Sequence, residues 1–471
     1  MKNNVCKKVN KVHNLVESIM KYPSYQLDFD FSRPLDIQRN TDLGIIDNCI
    51  TNFSGDTYSE LFKRHLRLLV LELYFSWSES SSQFLTVSMS KRGYNCKSRY
   101  NPNRISSYLI RIVNYLRDNK YIEVYPGFYD SKTRKSRRTR IRPSEFLINH
   151  FQRIKDFKNE NYNHLKREFM FVYDKNNLFE YKDTYESGEI RGIMKYYNTL
   201  ISKTLFDIPT YENNYLTRGD NRKLVISKYS TSNYLYDRSS PSKPLINGCW
   251  WNKIDLKIFL QIKNEFTINN NSTSYLNLLD FFGDFLSFIS NTNIVLQPRS
   301  FSSVLNYDQL CYLIIKSFRS KNSNSFLKSV FNEKKKLDLV SFTNNEIKDA
   351  ISNHILKNQR ISDFIFRYKN IGWDQFTSIF FYNLIKKLSS VNIPIYLVRD
   401  KVYFPTSMES IVLEKSVQIL EKKLNIKSIN INSNKSLSID FKKRGIFGKF
   451  TKPKIKYSKR YLDNKKFFGI N

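Results

Sequence analysis

Residues 104–143 read RISSYLIRIVNYLRDNKYIEVYPGFYDSKTRKSRRTRIRP, and this stretch predicts a helix followed by a basic β-hairpin. We expect the helix at Arg104–Asn119, because apolar residues recur there with a period of 3.6: Ile105, Tyr108, Leu109, Ile112, Val113 and Leu116. Its opposite face carries Arg104, Arg111 and Arg117. The hairpin should have one strand at Tyr121–Tyr125, a turn starting at Pro126-Gly127, and a second strand at Arg137–Arg142 that ends at Pro143.

Seven cations lie within eleven residues of this hairpin: Lys132, Arg134, Lys135, Arg137, Arg138, Arg140 and Arg142. The order helix, strand, basic loop, strand is that of a winged helix, whose helix enters the major groove of DNA while the cations of the loop meet phosphates. We therefore expect Arg104 and Arg111 on the helix, together with the hairpin cations, to contact nucleic acid. The alternative is a solvated basic hairpin that binds nothing.

The composition of the chain affects how strongly these cations argue for a nucleic-acid partner. The chain has 77 Lys and Arg against 43 Asp and Glu, a formal charge of +34. It is also rich in Lys and Asn, and Ala350 is its one alanine, a pattern that indicates mutational bias toward AT-rich codons. Such a bias inflates Lys more than Arg, so clusters of Arg argue more strongly for a polyanionic partner than runs of Lys do.

The length of 471 residues, with 41% hydrophobic residues, predicts two or three globular domains. The longest apolar run, Leu66–Phe75, is interrupted by Arg67 and Glu72 and is too short to cross a bilayer. We expect a soluble, cytoplasmic protein without a membrane partner. The five cysteines and five histidines have no metal-ligand spacing, which predicts reduced thiols and no structural zinc.

The pattern along the chain divides it into five segments. They are an N-terminal extension (1–55), a winged-helix domain (56–151) whose first helix lies at Tyr58–Ser76, a bridging segment (152–249), an α+β domain (250–425) and a basic C-terminal tail (426–471). The tail holds eleven cations from Lys442 onward against the single acid Asp463, which is typical of a disordered nucleic-acid-binding arm.

The bridging segment should contain helices at Asn163–Phe171 and Arg191–Leu205. Its second half interleaves tyrosines with cations, among them Arg218, Arg222 and Arg238. Aromatic rings between cations suit stacking on bases beside phosphate contacts, although a polar surface loop is an equal interpretation.

Two carboxylates in the α+β domain follow apolar strands. Asp280 follows Tyr275–Leu279, and Asp400 lies at the turn between the strands Ile393–Val398 and Lys401–Phe404. Acids at the ends of different strands can converge, and two of them are the minimum set for a Mg²⁺ pair in nucleotidyl transfer. Between them we predict an amphipathic helix at Leu305–Phe318 that carries Lys316, and an apolar helix at Trp373–Leu388.

These stretches carry a resemblance to a known group of proteins. Gly-Cys-Trp-Trp at 248–251, Leu-Asp-Phe-Phe-Gly at 279–283 and Ile-Pro-Ile-Tyr-Leu-Val-Arg-Asp-Lys at 393–401 resemble a family of uncharacterised phage and plasmid proteins. The corresponding family stretches read Leu-Asp-Tyr-Ser-Gly and Ile-Pro-Val-Leu-Pro-Val-His-Asp-Ser, and they are similar to motifs A and C of family A DNA polymerases. The resemblance covers roughly residues 60–425.

The resemblance implies a winged-helix domain followed by a palm-like α+β domain, in a DNA-binding replication protein of a phage or mobile element. Asp280 and Asp400 would be the catalytic metal ligands, and Lys316 would hold the incoming triphosphate. Phe282, Arg399 and Lys401 depart from the family pattern, so the motifs are degenerate and Mg²⁺ is expected only if the palm is active.

Three alternatives remain open. The protein could be a non-enzymatic replication initiator or transcriptional regulator that binds DNA or RNA. Asp280 could cap the helix that follows it, and Asp400 could pair with its basic neighbours.

Overall fold

The computed structural model describes most of the chain and divides it into two compact units. The first unit is formed by Met1–Glu168 with Arg222–Tyr229, and the second by Phe169–Asn221 with Ser230–Asn471. Both contain helices and strands, which confirms a mixed α and β fold. The described residues are 32–41, 59–129, 131, 136–154, 166–175, 177–217, 223–238, 244–282, 285, 307–334, 339, 341–357, 365–366, 373–424 and 457–470.

Among its described residues, the first unit places a small sheet beside three helices. The helices are α1 (Glu60–Glu79), α2 (Leu109–Asp118) and α3 (Glu145–Phe151). The strands are β1 (Ser32–Pro34), β2 (Phe84–Val87), β3 (Ile122–Tyr125), β4 (Phe128–Tyr129), β5 (Ser136–Arg137) and β6 (Thr139–Pro143). A four-stranded sheet has the order β1-β2-β6-β3, with β1 parallel to β2 and the other pairs antiparallel.

Helix α1 is the core element of this unit. Ser59 caps it by accepting a hydrogen bond from the Phe62 amide at 3.3 Å. Leu66, Leu69 and Leu73 are fully buried and repeat every three or four residues along one face. The helix predicted at Tyr58–Ser76 is therefore confirmed, and it continues almost one further turn.

Helix α2 begins later than predicted. The side chain of Asn101 accepts from the Ile105 amide at 2.9 Å and donates to the Ile105 carbonyl at 2.8 Å. The bond to the Ile105 carbonyl occupies an acceptor that a helix starting at Arg104 would offer to the Leu109 amide, so the polar side chain competes with the helix. Arg104 instead adopts a left-handed φ of 50° in the preceding loop, and the prediction that it lies on the helix was wrong.

The second strand of the hairpin is interrupted. Ser136–Arg137 pairs with Phe128–Tyr129, whereas Thr139–Pro143 pairs with β3 and β2, so Arg138 lies between two strands rather than within one. Gly127 makes this possible, because a Cβ atom there would meet the Arg137 carbonyl oxygen at 2.4 Å. Pro143 is the last strand residue rather than a stop beyond it.

The second unit contains eight helices among its described residues. They are α4 (Tyr185–Ser202), α5 (Leu256–Ile262), α6 (Tyr307–Arg319), α7 (Ser323–Glu333), α8 (Asn344–Lys357), α9 (Trp373–Ser389), α10 (Glu409–Leu424) and α11 (Lys459–Phe467). Those predicted at Arg191–Leu205, Leu305–Phe318 and Trp373–Leu388 are confirmed as α4, α6 and α9 with shifted ends.

The strands follow the same chain-order numbering. They are β7 (Met170–Asp174), β8 (Asn177–Leu178), β9 (Phe206–Asp207), β10 (Tyr215–Thr217), β11 (Lys223–Val225, in the first unit), β12 (Asn233–Asp237), β13 (Pro244–Asn247), β14 (Thr267–Ile268), β15 (Thr273–Asn277), β16 (Tyr396–Val398) and β17 (Lys401–Pro405). Strand β7 corrects the predicted helix at Asn163–Phe171, because Met170–Tyr173 pair in parallel with β12.

Two sheets of the second unit position candidate site residues. One has the order β13-β12-β7-β8, and the other has the order β15-β17-β16 with both pairs antiparallel. The β16–β17 hairpin turns at Arg399-Asp400, as the sequence predicts. The ring of Phe206 stacks on that of Tyr396 with centroids 4.1 Å apart, which anchors the hairpin to the buried aromatic core.

The C-terminal tail does not form an unstructured arm throughout. Residues 442–456 lie outside the described structure, but Lys459–Phe467 form α11, whose Tyr461 is fully buried. Arg460 donates from Nη1 to Asp207 Oδ2 at 2.9 Å and from Nη2 to the Ile208 carbonyl at 2.8 Å. A tail with few apolar residues therefore docks through one buried ion pair and one aromatic ring.

Replacing Arg460 with Ala should destabilise the second unit by about 3–5 kcal/mol, because Asp207 has a side chain only 1% exposed and would keep an unpaired buried charge. Lys459→Ala is the matched control, since it removes the same charge from the neighbouring, exposed residue. The measurement is chemical denaturation of both variants. Equal stability of the two would show that the ion pair does not hold α11.

Candidate nucleic-acid interface and paired carboxylates

Helix α2 presents cations on the side opposite to its buried face. Leu109, Ile112, Val113 and Leu116 are buried, whereas Arg111 and Arg117 are exposed. Arg117 is already paired with Asp118 at 2.9 Å. Arg111 lies over the Tyr108 ring at 5.5 Å and makes no ion pair within the described chain. Arg111 is therefore the cation of α2 that is best placed to meet a phosphate.

Two arginines of the predicted wing contact other residues of the sheet. Arg142 pairs with Glu123 on the neighbouring strand at 2.7 Å and lies over the Tyr125 ring at 5.8 Å. Arg140, on the central strand β6, donates to Ser32 Oγ at 3.5 Å. Both side chains are half-buried, so these arginines join strands to one another.

The tip of the hairpin is more open. Arg137 donates to the Pro126 carbonyl at 3.3 Å and lies over the Phe128 ring at 5.3 Å, which fixes its guanidinium across the hairpin. Arg138 is exposed and makes no ion pair with any described residue. Lys132, Arg134 and Lys135 lie outside the described residues.

Arg138 lies close to the loop that precedes α2. Burial raises the pKa of Tyr94 to about 12, while its bond to the Ser88 carbonyl and the nearby Arg138 charge act in the opposite direction. The Tyr94 hydroxyl donates to that carbonyl at 2.6 Å. The charge of Arg138 therefore lies near Tyr94, in the segment between β2 and α2.

The tyrosine- and arginine-rich bridge is ordered where it is described. Arg238 follows β12, donates its backbone amide to the Tyr173 carbonyl at 2.9 Å and places its guanidinium over the Phe179 ring at 4.2 Å. Arg218 and Arg222 lie outside the described residues. Arg238, which was predicted to contact nucleic acid, therefore has an aromatic partner within the chain.

His65 connects α1 to the start of α2. Its Nδ1 is 2.8 Å from the Leu61 carbonyl, and its Nε2 accepts from the Ser106 amide at 2.9 Å. Burial lowers the pKa of His65, and the Arg64 charge lowers it further, while the bond to Leu61 raises it. Neutral His65 therefore fixes the backbone just before α2.

The carboxylate-bearing segments meet at one end of the three-stranded sheet. Asn277, the last residue of β15, pairs with Lys401, the first residue of β17. The Leu278 amide donates to the Asp400 carbonyl at 2.7 Å. Asp280 lies two residues further, in the single 3₁₀ turn Leu278–Phe281. The backbones of the two predicted acids therefore come together, while the side chain of Asp280 lies outside the described structure.

The basic neighbours of Asp400 are bound elsewhere. Arg399, in the left-handed region with φ 57°, donates to the Ile254 carbonyl at 3.2 Å and lies over the Tyr312 ring at 5.0 Å. Lys401 is only 3% exposed, and its ammonium is 5.3 Å from the Tyr275 ring centroid. Each cation therefore has an aromatic partner, which the family pattern of His and Ser does not require.

Lys316 lies close to this end of the sheet along α6. Tyr312 contacts Arg399, and Lys316 is one turn further along the same helix face. The Lys316 ammonium is 2.9 Å from Glu333 Oε2 and donates to Ser329 Oγ at 2.9 Å, both on α7. Tyr312 and Glu333 could not be predicted as partners of these cations, because neither lies in a motif and only the fold brings them together.

Comparisons with known proteins add no relative. The chain matches no protein-family model, and no curated protein is similar to it in sequence. In the part of the chain that the structure describes, no helix is long and apolar enough to cross a membrane. The same part contains no group of three or more His, Cys, Asp or Glu side chains arranged to hold a metal ion.

The pH dependence of stability should reveal the role of His65. Because its folded pKa is lowered, the unfolded chain binds the proton more readily, so His65 should cost stability as the pH falls below about 6.5. His65→Gln cannot be protonated there and should flatten the dependence of melting temperature on pH between 7 and 5. His150→Gln, on α3, is the control and should behave as wild type; an unchanged profile for His65→Gln would contradict this role.

Proposed function

We propose that the first unit binds duplex DNA in the manner of a winged helix. The observation that carries this proposal is the sheet order β2-β6-β3 with α1 before β2 and α2 between β2 and β3. This order resembles the connection of a winged helix, in which the helix before the hairpin enters the major groove. The segment between β2 and α2 holds a 3₁₀ turn and loops instead of a further helix.

The charges support the same surface. Arg111 on α2 and Arg138 at the hairpin tip are exposed and make no ion pair within the described chain, whereas Arg117, Arg140 and Arg142 have protein partners. Exposed Arg on the recognition helix and on the wing would contact the groove and the flanking phosphates.

For the second unit we propose a palm-like domain of a replication protein from a phage or mobile element. The hydrogen bond from the Leu278 amide to the Asp400 carbonyl supports this proposal, because it brings the segments of Asp280 and Asp400 to the same end of the three-stranded sheet. If Mg²⁺ binds, Asp280 and Asp400 would hold it, and the metal would supply stabilisation of the transferring phosphoryl group. A non-enzymatic initiator or regulator remains the competing function.

The groove-binding proposal predicts a change in salt dependence. The double variant Arg111→Ala, Arg138→Ala should reduce the slope of log K against log salt for a duplex by up to about 1.8, that is 0.9 for each lost phosphate contact. Arg117→Ala, which removes a cation already paired with Asp118, is the matched control and should change the slope less. A double variant with the wild-type slope would refute this interface.

The palm proposal predicts loss of activity without loss of binding. Asp400→Asn should abolish Mg²⁺-dependent primer extension and keep DNA affinity, because a neutral amide is a poor ligand for a hard cation. Glu414→Gln, which removes an exposed carboxylate on α10, is the control and should extend primers as wild type does. Wild type that binds DNA but extends no primer with Mg²⁺ or Mn²⁺ would leave the initiator or regulator function.

A further inference from the structure

The first unit contains a cavity of about 740 Å³ beside the start of α2. Its wall includes five cations and a thiol: Arg64, Lys97, Arg99, Arg104, Lys166 and Cys96. No Asp or Glu is among the described residues that line it, although Arg99 is paired with Glu168. Positive charge still predominates among the described lining residues, which indicates an anionic occupant.

Arg64 contributes a buried polar atom to the cavity wall. It lies on α1, it is half-buried, and its Nε is buried without a hydrogen-bond partner among the described residues. Buried polar atoms are nearly always hydrogen-bonded, so this atom can donate to an acceptor on a ligand or to a water molecule in the cavity. Arginine presents its donors as a planar fork that matches two oxygens of a phosphate.

The loop that carries the other cations is held in place. Arg99 is bound through Nε by Glu168 at 3.0 Å, which leaves it on the wall with a fixed orientation. The Asn101 side chain donates to the Asn95 carbonyl at 2.9 Å and bonds both backbone groups of Ile105. Arg104 follows in the left-handed conformation, which for a residue with a Cβ atom is uncommon and concentrates at functional sites.

We propose that this cavity binds phosphate esters that carry several negative charges. Its volume is in the range of small-molecule sites and exceeds what one inorganic phosphate fills. Two sources share this chemistry: the triphosphate of a free nucleotide, and successive phosphates of a single nucleic-acid strand. The site goes beyond groove binding by α2 and the wing, and it depends on its own wall residues rather than on that proposal.

The test titrates the full-length protein with pyrophosphate, a nucleoside triphosphate and a short single-stranded oligonucleotide, by calorimetry at constant ionic strength. For whichever of these ligands binds, Arg64→Gln should weaken the affinity by about tenfold or more, because the variant loses a charge-assisted hydrogen bond. Lys63→Gln, the adjacent residue on α1 and outside the cavity wall, should change affinity by less than about threefold. Tighter binding of the triphosphate or of the oligonucleotide identifies the source, and either result supports the site.

Cys96 gives a second measurement that needs no variant. It is an exposed free thiol on the cavity wall, so bound pyrophosphate should slow its alkylation, read on the Cys96 peptide by mass spectrometry. Sodium chloride at the same ionic strength is the control.

The inference is overturned if none of the three ligands binds, or if Arg64→Gln and Lys63→Gln bind alike while Cys96 reacts at the same rate with and without pyrophosphate. If wild type binds none of the phosphate ligands while the Arg111→Ala, Arg138→Ala variant shows the reduced duplex salt slope, this site alone is rejected. If wild type binds a phosphate ligand while that double variant keeps the wild-type duplex slope, the winged-helix proposal alone is rejected.

Discussion

Glu72 is the constraint on which the first unit depends. It is fully buried in α1, and it accepts from Arg33 Nη2 at 3.2 Å and from the Asp36 amide at 2.9 Å, and it also pairs with the buried Arg39. These bonds hold β1 and the turn after it against α1, and β1 in turn pairs with β2. Removing either side of a buried ion pair leaves an unpaired charge, at a cost of about 3–5 kcal/mol. The sheet that carries the hairpin is positioned through this carboxylate.

The same principle separates structural arginines from those that can meet a ligand. In a chain with 77 cations and 43 acids, buried acids take specific arginine partners, as Glu168 takes Arg99 and Asp207 takes Arg460. The cations that stay exposed and unpaired within the described chain include Arg111 and Arg138. We therefore propose two surfaces for anionic ligands: the face that carries Arg111 and Arg138, and the cavity wall beside the start of α2.

Much of the secondary structure could be predicted, because amphipathic periodicity is a local property. It found α1, α6 and α9 and the hairpin around Asp400. It failed where one side chain overrides the pattern: Asn101 takes the backbone groups of Ile105 and delays α2. Periodicity also failed where pairing with a distant strand determines the structure, as for the strand Met170–Asp174. It could not predict that Glu123 forms an ion pair with Arg142 or that Glu333 forms one with Lys316. Partners from distant segments leave no periodic signal.

The central claim is that α2 and the hairpin tip form the face that binds duplex DNA. Hydrogen–deuterium exchange of the full-length protein with and without a duplex tests it most directly, because it reports on backbone amides segment by segment. We predict slower exchange at residues 107–114 and 136–140, with Lys459–Phe467 unchanged. Protection confined to the second unit, with none at α2 or the hairpin, would contradict the account.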